Sequence, residues 1–320
     1  DAVQAKGLEA WFGSTPADWG VDEAVYERCN DTLDVWFDSG VAMPASFVST
    51  GHTAPMQADI YLEGSDQHRG WFHSSLLTRA ATDGKAPYKS VLTHGFTVDE
   101  QGRKMSKSLG NVVAPQKVIG TLGADVLRLW VASSDYSGEI ACSDNLLKRV
   151  ADAYRRIRNT ARYLLGNLHG FDPARDAVPA SELVAMDAWA IDEAAKLQAE
   201  LQKAYGDREF HRVYHLLHNY CVNDLGGLYL DILKDRLYTL PEKSLARRSA
   251  QTALLHIAEG LVRWIAPILS FTADEIWRLL PGDRSQSVFV QGWWRFPALS
   301  PQTLDWAALL ATRDAARKEL

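Results

Sequence analysis

The sequence predicts an α/β unit followed by an all-α helical bundle. Up to about residue 143, short apolar segments that alternate like β-strands are separated by glycine-containing turns and by shorter helical patterns. From about residue 144, apolar residues recur at helical spacing over long stretches. The predicted domains are therefore 1–143 and 144–320, and 320 residues are enough for each domain to bury its own core.

The composition is that of a soluble globular protein, with 47% hydrophobic and 23% charged residues. The sequence has no apolar run of membrane-spanning length and no N-terminal signal segment, so it predicts a cytoplasmic protein without a membrane partner. The net charge is −6, so a nucleic acid would have to bind a local basic patch. The first residue is Asp1 and not Met, which leads us to expect a piece of a longer protein.

The sequence predicts no metal site. Its three cysteines, Cys29, Cys142 and Cys221, are odd in number and far apart, so neither a disulfide framework nor a four-ligand zinc site is expected. Three histidines share one predicted helix at helical spacing: His211, His215 and His218. No acidic or cysteine partner falls at matching spacing, which favours structural or surface histidines over metal ligands.

The N-terminal part is expected to begin with short strands and turns over residues 1–33, because Gly and Pro interrupt every longer period. The next string, Asp34-Val35-Trp36-Phe37-Asp38-Ser39-Gly40, is interpreted as a strand or strand-turn near a pocket. Trp36 suits the wall of such a pocket and a plain core position equally well.

Residues 59–84 predict a strand, a tight turn and a helix in succession. Residues 59–63 alternate as a strand, Gly64 breaks it, and a helix over 67–81 ends at Gly84. Ser65 or Asp66 is expected to cap that helix.

Ligands of open α/β sheets bind where a strand passes into the next helix. Four residues at this point could therefore hydrogen-bond a ribose or an ammonium group: Glu63, Gly64, Asp66 and Gln67. A structural cap alone explains Asp66 equally well.

A second strand is predicted over 91–98. It carries His94 beside a glycine, where the imidazole could contact a nucleotide or could be an ordinary buried histidine.

The strand leads into the loop Lys104-Met105-Ser106-Lys107-Ser108-Leu109-Gly110-Asn111. Its two ammonium groups, its hydroxyls and the backbone N–H groups around Gly110 suit phosphate binding. Glycines on either side, Gly102 and Gly110, predict hinges that let the loop close over a triphosphate. An arbitrary Lys-x-x-Lys spacing would more often be two surface lysines.

After the lysine loop, helices are predicted to start at Pro115 and to span 124–131. The helical part that follows is predicted to contain long helices over about 144–168, 182–205, 207–235 and 243–266. After Pro267, Thr272 and Glu275 are expected to form a capping box. Five arginines lie largely off the apolar stripe of the first long helix: Arg149, Arg155, Arg156, Arg158 and Arg162. They are a candidate RNA-backbone patch or a solvated helix face.

The sequence resembles the isoleucyl-tRNA synthetases, a family of class I aminoacyl-tRNA synthetases, in five segments: 34–40, 61–72, 92–96, 104–108 and 155–160. The valyl and leucyl relatives share the lysine loop, whereas the string from Glu63 to Phe72 resembles the isoleucyl enzymes. The resemblance implies a Rossmann-like C-terminal part of the catalytic domain over 1–143 and an anticodon-binding domain over 144–320.

The resemblance also implies a reaction and roles for residues. Isoleucine and ATP, with Mg²⁺, would give isoleucyl-adenylate and pyrophosphate, and a monomeric enzyme would pass the isoleucyl group to tRNA(Ile). Lys104 and Lys107 would stabilise the phosphate charge of the transition state, and Trp36 and Trp71 would wall the isoleucine pocket. The residues implied to bind ATP or the adenylate are Glu63, Gly64, Asp66, Gln67, His94, Met105 and Lys107.

The sequence lacks a His-x-Gly-His string, an editing insertion and a cysteine-rich zinc segment, all expected in the family. A fragment that is inactive alone is therefore expected. A valyl-tRNA synthetase and a non-catalytic tRNA-binding module are the alternatives. The intact Lys104–Ser108 string argues against the module, which would have no use for a phosphate-closing loop.

Overall fold

The computed structural model describes residues 1–51, 57–301 and 303–319. The chain forms two compact units, Asp1–His94 and Gly95–Leu320. The division at 143/144 made from the sequence stays a prediction, since residues 95–143 belong to the second compact unit together with the helices.

Among its described residues, 1–51 and 57–94, the first unit has four helices and two strands. They are α1 (Ala2–Lys6), α2 (Glu9–Phe12), α3 (Val35–Ser49), β1 (Tyr61–Gly64), α4 (Trp71–Asp83) and β2 (Val91–His94). Two 3₁₀ turns, Pro16–Trp19 and Ser65–Arg69, complete it. Strands β1 and β2 are parallel, with Tyr61 opposite Val91 and Gly64 opposite His94.

Two predictions for the start of the chain are wrong. Residues 1–33 contain no strand: short helical turns lie within 2–19, because Gly7 and Gly13 end α1 and α2 after little more than one turn each. The string 34–40 belongs to α3, since the Asp34 side chain accepts a hydrogen bond from the Trp36 N–H (2.8 Å) and so caps that helix.

Helix α3 packs closely along α4, and Gly40 allows the approach. A Cβ atom at Gly40 would lie 3.0 Å from the Ser74 carbonyl oxygen. The Thr78 hydroxyl on α4 also donates to the Gly40 carbonyl oxygen (3.1 Å). The Val-Trp-Phe run favours a strand locally, whereas the cap at Asp34 and the partner helix favour the observed helix.

The second unit contains two short parallel strands and ten helices in its described part. They are β3 (Thr97–Val98), α5 (Pro115–Leu122), α6 (Ala124–Ser133), β4 (Ile140–Ala141), α7 (Asp144–Asn167), α8 (Pro173–Asp176), α9 (Ala185–Gly206), α10 (Phe210–Asn219), α11 (Leu230–Thr239), α12 (Leu245–Ile265), α13 (Ser270–Leu279) and α14 (Trp306–Glu319). The single strand predicted over 91–98 is wrong, because β2 and β3 belong to different units. Strand β3 pairs with β4.

The predicted bundle helices are present with small shifts at their ends. The helix predicted over 207–235 is divided into α10, a π-helical segment over Tyr220–Tyr229 and α11. Leu320, to which the sequence prediction reached, lies outside the described residues. The bundle core contains fully buried side chains such as Ile191, Leu254 and Trp264.

The capping box predicted for α13 is wrong. The buried Asp125 of α6 accepts hydrogen bonds from the Thr272 N–H (2.7 Å) and hydroxyl (2.6 Å). Glu275 instead forms an ion pair with Arg158 of α7 (2.9 Å). Arg128 donates to the carbonyl oxygens of residues 267 and 268. Helix α6 is thereby tied to the turn that precedes α13.

Candidate functional site

In the first unit, several predicted site residues meet at the carboxyl edge of β1 and β2. Gly64 and His94 are register partners at the ends of these two parallel strands. A Cβ atom at Gly64 would lie 2.6 Å from Asp66 Oδ1 and 3.8 Å from His94 Cε1. Glycine therefore leaves room for the Asp66 carboxylate in its present position beside the strand end, and a larger residue would require that carboxylate to move. Glu63 precedes this point on β1 and is exposed.

Gln67 links Asp66 to the start of α4. Its Nε2 donates to Asp66 Oδ2 (3.2 Å), and its Oε1 accepts from the Trp71 N–H (3.0 Å). The prediction that Ser65 or Asp66 caps the helix is wrong, because the Gln67 side chain pairs with this otherwise free N–H group. Asp66 is thus free to present its carboxylate at the edge.

The two tryptophans are held differently. Trp71 stacks on Tyr61 (centroids 4.1 Å apart, planes 8° apart), and its indole N–H donates to the Ser39 carbonyl oxygen (3.0 Å). Trp36 is 46% exposed, and a Cβ atom at Gly70 would lie 2.9 Å from its ring. The edge thus places a carboxylate and an amide near exposed aromatic surface, which suits a ligand with an ammonium group and an apolar side chain.

In the second unit, the three predicted residues of the lysine loop have different surroundings. Lys104 places its Nζ 5.2 Å from the centroid of the Phe96 ring, a cation–π contact. Met105 is half-buried and packs against the core of the unit. Lys107 is exposed, and its carbonyl oxygen accepts from the Gly110 N–H (3.2 Å). The loop thus presents Lys107 to solvent and anchors itself through Met105.

Asp99 and Asn111 anchor the same loop, and sequence reasoning missed them as functional residues. The Asp99 carboxylate accepts from the backbone N–H groups of Gln101 (3.0 Å) and Arg103 (2.9 Å), from Arg103 Nε (2.8 Å) and from Asn111 Nδ2 (2.9 Å). The Asn111 amide and the Arg103 N–H hold the pKa of Asp99 well below its ordinary value. The signal available in the sequence was the Asp-x-x-Gly turn at 99–102, which is typical of an Asp side chain bonded to its own backbone.

On α7, the structure separates the predicted arginine patch into paired and unpaired members. Arg155 bonds to Asp152, and Arg158 pairs with Glu275. Three arginines are exposed and form no ion pair with the described residues: Arg149, Arg156 and Arg162. Burial, and then the charge of Arg156, lowers the pKa of His218.

Within residues 1–51, 57–301 and 303–319, no three His, Cys, Asp or Glu side chains converge as metal ligands would. No helix in this described part has both the length and the apolar character needed to cross a membrane.

Two protein families match the chain. Residues 3–143 match the family described as tRNA synthetases class I (I, L, M and V). Residues 187–319 match the anticodon-binding domain of tRNA ligase.

Curated relatives match almost the whole chain. An isoleucine–tRNA ligase of Pseudomonas aeruginosa (strain LESB58) is 58% identical over 99% of this chain and 35% of its own length. An isoleucine–tRNA ligase of Halorhodospira halophila (strain DSM 244 / SL1) is 60% identical over 99% of this chain and 34% of its own length. The chain therefore spans about a third of the length of the curated relatives it matches.

Solved structures share the fold at low identity. A ternary complex of Agrobacterium radiobacter K84 agnB2 LeuRS with tRNA and LeuAMS is 18% identical, with a TM-score of 0.60, covering 90% of this chain and 38% of the other. Mycobacterium tuberculosis methionyl-tRNA synthetase in complex with methionyl-adenylate is 20% identical, with a TM-score of 0.64, covering 84% and 55%. This likeness confirms the predicted fold, a Rossmann-like half followed by a helical domain.

Proposed function

The chain belongs to the class I aminoacyl-tRNA synthetases, and from that premise we propose that it is the part of an isoleucine–tRNA ligase that binds the aminoacyl-adenylate and contacts tRNA(Ile). One observation carries the proposal. The Lys104–Ser108 string is intact, in a chain 58–60% identical to isoleucine–tRNA ligases over nearly its full length.

The chemistry of the proposed reaction explains the need for two lysines. When the carboxylate of isoleucine attacks the α-phosphate of ATP, negative charge develops on the phosphate oxygens and on the departing pyrophosphate. We assign Lys104 and Lys107 to the stabilisation of that charge. Lys107 is exposed in the described conformation, whereas the Lys104 ammonium lies 5.2 Å from the centroid of the Phe96 ring.

The edge of β1 and β2 is assigned to the adenylate. Asp66 and Gln67 offer a carboxylate and an amide for the ammonium group of isoleucine or for the ribose, with Gly64 giving close access to the backbone. His94 and Glu63 are assigned to the nucleotide side of the adenylate. The walls of the isoleucine pocket are assigned to Trp36, which is exposed, and to Trp71, which stacks on Tyr61.

The donor groups do not form a cage for Mg²⁺, since no three-ligand group occurs among the described residues. Mg²⁺ commonly binds through substrate phosphates and few protein ligands. We therefore propose that Mg²⁺ accompanies ATP.

The helical part is assigned to tRNA(Ile). Support comes from the anticodon-binding family match over 187–319 and from the arginines of α7 that have no carboxylate partner in the described chain. Such guanidinium groups suit contacts with RNA phosphates.

The proposal is tested in a chimera, in which this chain replaces the matching third of the Pseudomonas aeruginosa enzyme. Exchange of pyrophosphate into ATP is expected to depend on isoleucine. Lys107→Ala should lower kcat by about 10²–10³-fold, the usual cost of losing one transition-state contact, with little change in the KM for isoleucine.

Lys117→Ala removes an exposed lysine of α5 and serves as the matched control, with no expected change. Equal losses in kcat and in isoleucine affinity for Lys107→Ala would contradict the transition-state role. Exchange stimulated by valine and not by isoleucine would contradict the assigned amino acid.

A further inference from the structure

The lysine loop is closed at its base by the Asp99 and Asn111 side chains, which we call the clasp. Asn111 uses every part of its amide. Nδ2 donates to Asp99 Oδ2 (2.9 Å) and to the Lys104 carbonyl oxygen (3.3 Å), while Oδ1 accepts from the Ser106 N–H (2.9 Å). One side chain thus ties the start of the loop to its end and to the turn after β3.

The Asp99 carboxylate is fully occupied by hydrogen bonds within the loop. Asp99 is only 7% exposed, and its carboxylate receives four hydrogen bonds, three of them from Gln101 and Arg103. A carboxylate saturated in this way is unsuited to act as a base or to bind a ligand, and it serves to hold the backbone.

Hydrogen bonds among its own residues hold the tip of the loop. Ser106 Oγ and Ser108 Oγ lie 3.1 Å apart, and Ser106 Oγ accepts from the Leu109 N–H (3.3 Å). Gly110, with φ 67°, turns the chain so that Asn111 reaches back to residues 104 and 106. The backbone is thereby fixed while the Lys107 side chain stays exposed.

We propose that Asp99 and Asn111 are positioning residues, which hold Lys104 and Lys107 at a set spacing for phosphate binding without touching the phosphates themselves. This consequence for phosphate binding rests on the proposed function, whereas the clasp itself does not. In this proposal the Asp99–Asn111 hydrogen bond at the base of the loop stays formed, even if the loop bends at the hinges predicted at Gly102 and Gly110. The first experiment therefore measures loop opening, and the second measures anion binding.

Loop opening is measured by limited trypsin digestion of the full chain. Cleavage after Lys104 and Lys107 is compared with cleavage after Lys243, an exposed lysine between α11 and α12. Asn111→Ala should speed cleavage in the loop by about tenfold or more, because the loop loses three hydrogen bonds that oppose its opening. Cleavage after Lys243 should not change.

Asn223→Ala, at an exposed asparagine of the π-helical segment, is the matched control and should leave loop cleavage unchanged. An unchanged loop rate in Asn111→Ala, or an equal rise after Lys243, would overturn the clasp.

Exchanging the Asp and Asn residues between positions 99 and 111 provides a second test if Asn111→Ala fails to fold. Asn111→Asp alone faces the Asp99 carboxylate with a second carboxylate, and loop cleavage should rise. The double variant Asp99→Asn with Asn111→Asp restores one donor and one acceptor at the contact, so cleavage should fall back toward the wild-type rate. A double variant that is no slower to cleave than Asn111→Asp would overturn the direct contact.

Anion binding is measured by calorimetric titration with inorganic tripolyphosphate at several salt concentrations. Lys107→Ala should weaken binding and also reduce its dependence on salt, because one charge is lost. Asn111→Ala should weaken binding by about three- to tenfold with the salt dependence unchanged, because both ammonium groups remain. A reduced salt dependence in Asn111→Ala would contradict a positioning role. A wild-type chain that binds no tripolyphosphate, with the proteolysis result intact, would contradict the proposed function and leave the clasp standing.

Discussion

At the scale of single residues, two glycines decide how closely other groups approach the ends of the strands. Gly64 leaves space for the Asp66 carboxylate, which a Cβ atom would meet at 2.6 Å. Gly95 lies against the backbone of Gly138, where a Cβ atom would come within 2.0 Å of the carbonyl oxygen. The sequence shows a glycine at or just after the end of each of these strands, but it does not show what faces that glycine.

Gly95→Ala is predicted to destabilise the second unit by about 1–3 kcal/mol, because backbone atoms must move to accept the methyl group. The urea midpoint of unfolding measures the loss. Gly138→Ala places a methyl group at the other member of the contact, where nothing lies within 4 Å, and should change the midpoint little. Equal midpoints for the two variants would contradict the predicted clash.

The phosphate-binding character of the lysine loop could be predicted from single residues. The side-chain contacts that hold the loop in place could not. Lys104, Lys107 and Gly110 are recognisable because their spacing and type suit an anion. The role of Asn111 depends on its contacts with Asp99, Lys104 and Ser106, which require the loop to fold back on itself.

At the scale of elements, periodicity predicted the helices well and their ends poorly. Helix α5 starts at Pro115 and Gly84 terminates α4 as its C-cap, as predicted, because proline and glycine act on their own backbone. The capping box of α13 failed because Thr272 bonds to Asp125, a residue 147 positions away in the chain. A distant carboxylate thus replaced the local partner.

Helix α12 contains a half-buried histidine that should make stability depend on pH. His256 Nδ1 accepts from the Trp294 indole N–H (3.2 Å), and burial lowers the His256 pKa below its ordinary value of 6.5, an effect that the charge of Glu259 partly opposes. Below pH 6.5, His256 therefore binds a proton more readily in the unfolded chain than in the folded chain. Stability is therefore expected to fall as the pH drops from about 7 through 6.5 and below.

Urea midpoints measured between about pH 7.5 and about pH 5.5, roughly one unit either side of the ordinary histidine pKa, test this expectation. His256→Gln should flatten the curve, with the contribution of His218 remaining. His169→Gln, at an exposed histidine, should leave the curve unchanged. An identical slope in wild type and His256→Gln would contradict the assignment.

At the scale of the whole molecule, the lysine loop and the helical bundle lie in one compact unit. Their hydrophobic core is continuous, and it contains Val118 and Leu129 as well as Leu254 and Ile265. The hydrophobic core therefore continues across residue 144, where the sequence changes from strand-like to helix-like periods.

Binding of tRNA(Ile) to the full chain is predicted to depend on salt through the arginines of α7 that form no ion pair with any described residue. The double variant Arg149→Gln/Arg156→Gln should lower the slope of log K against log salt by about 1–2, because up to two phosphate contacts are lost. Filter binding across a salt series measures the slope. Arg155→Gln, whose guanidinium already bonds to Asp152, is the matched control and should change it less. An unchanged slope in the double variant would place the RNA contact elsewhere.

The sequence by itself determined the order of the α/β part and the helical part, the phosphate-binding character of the lysine loop and the family likeness. These features depend on neighbouring residues and on spacings of a few positions, which a chain carries before it folds. The tertiary structure alone decided that residues 34–40 form a helix, that Asp125 caps α13 and that Asn111 holds the lysine loop. Such contacts depend on which backbone donors and acceptors meet once the elements pack, and buried polar groups take whichever partner lies within reach.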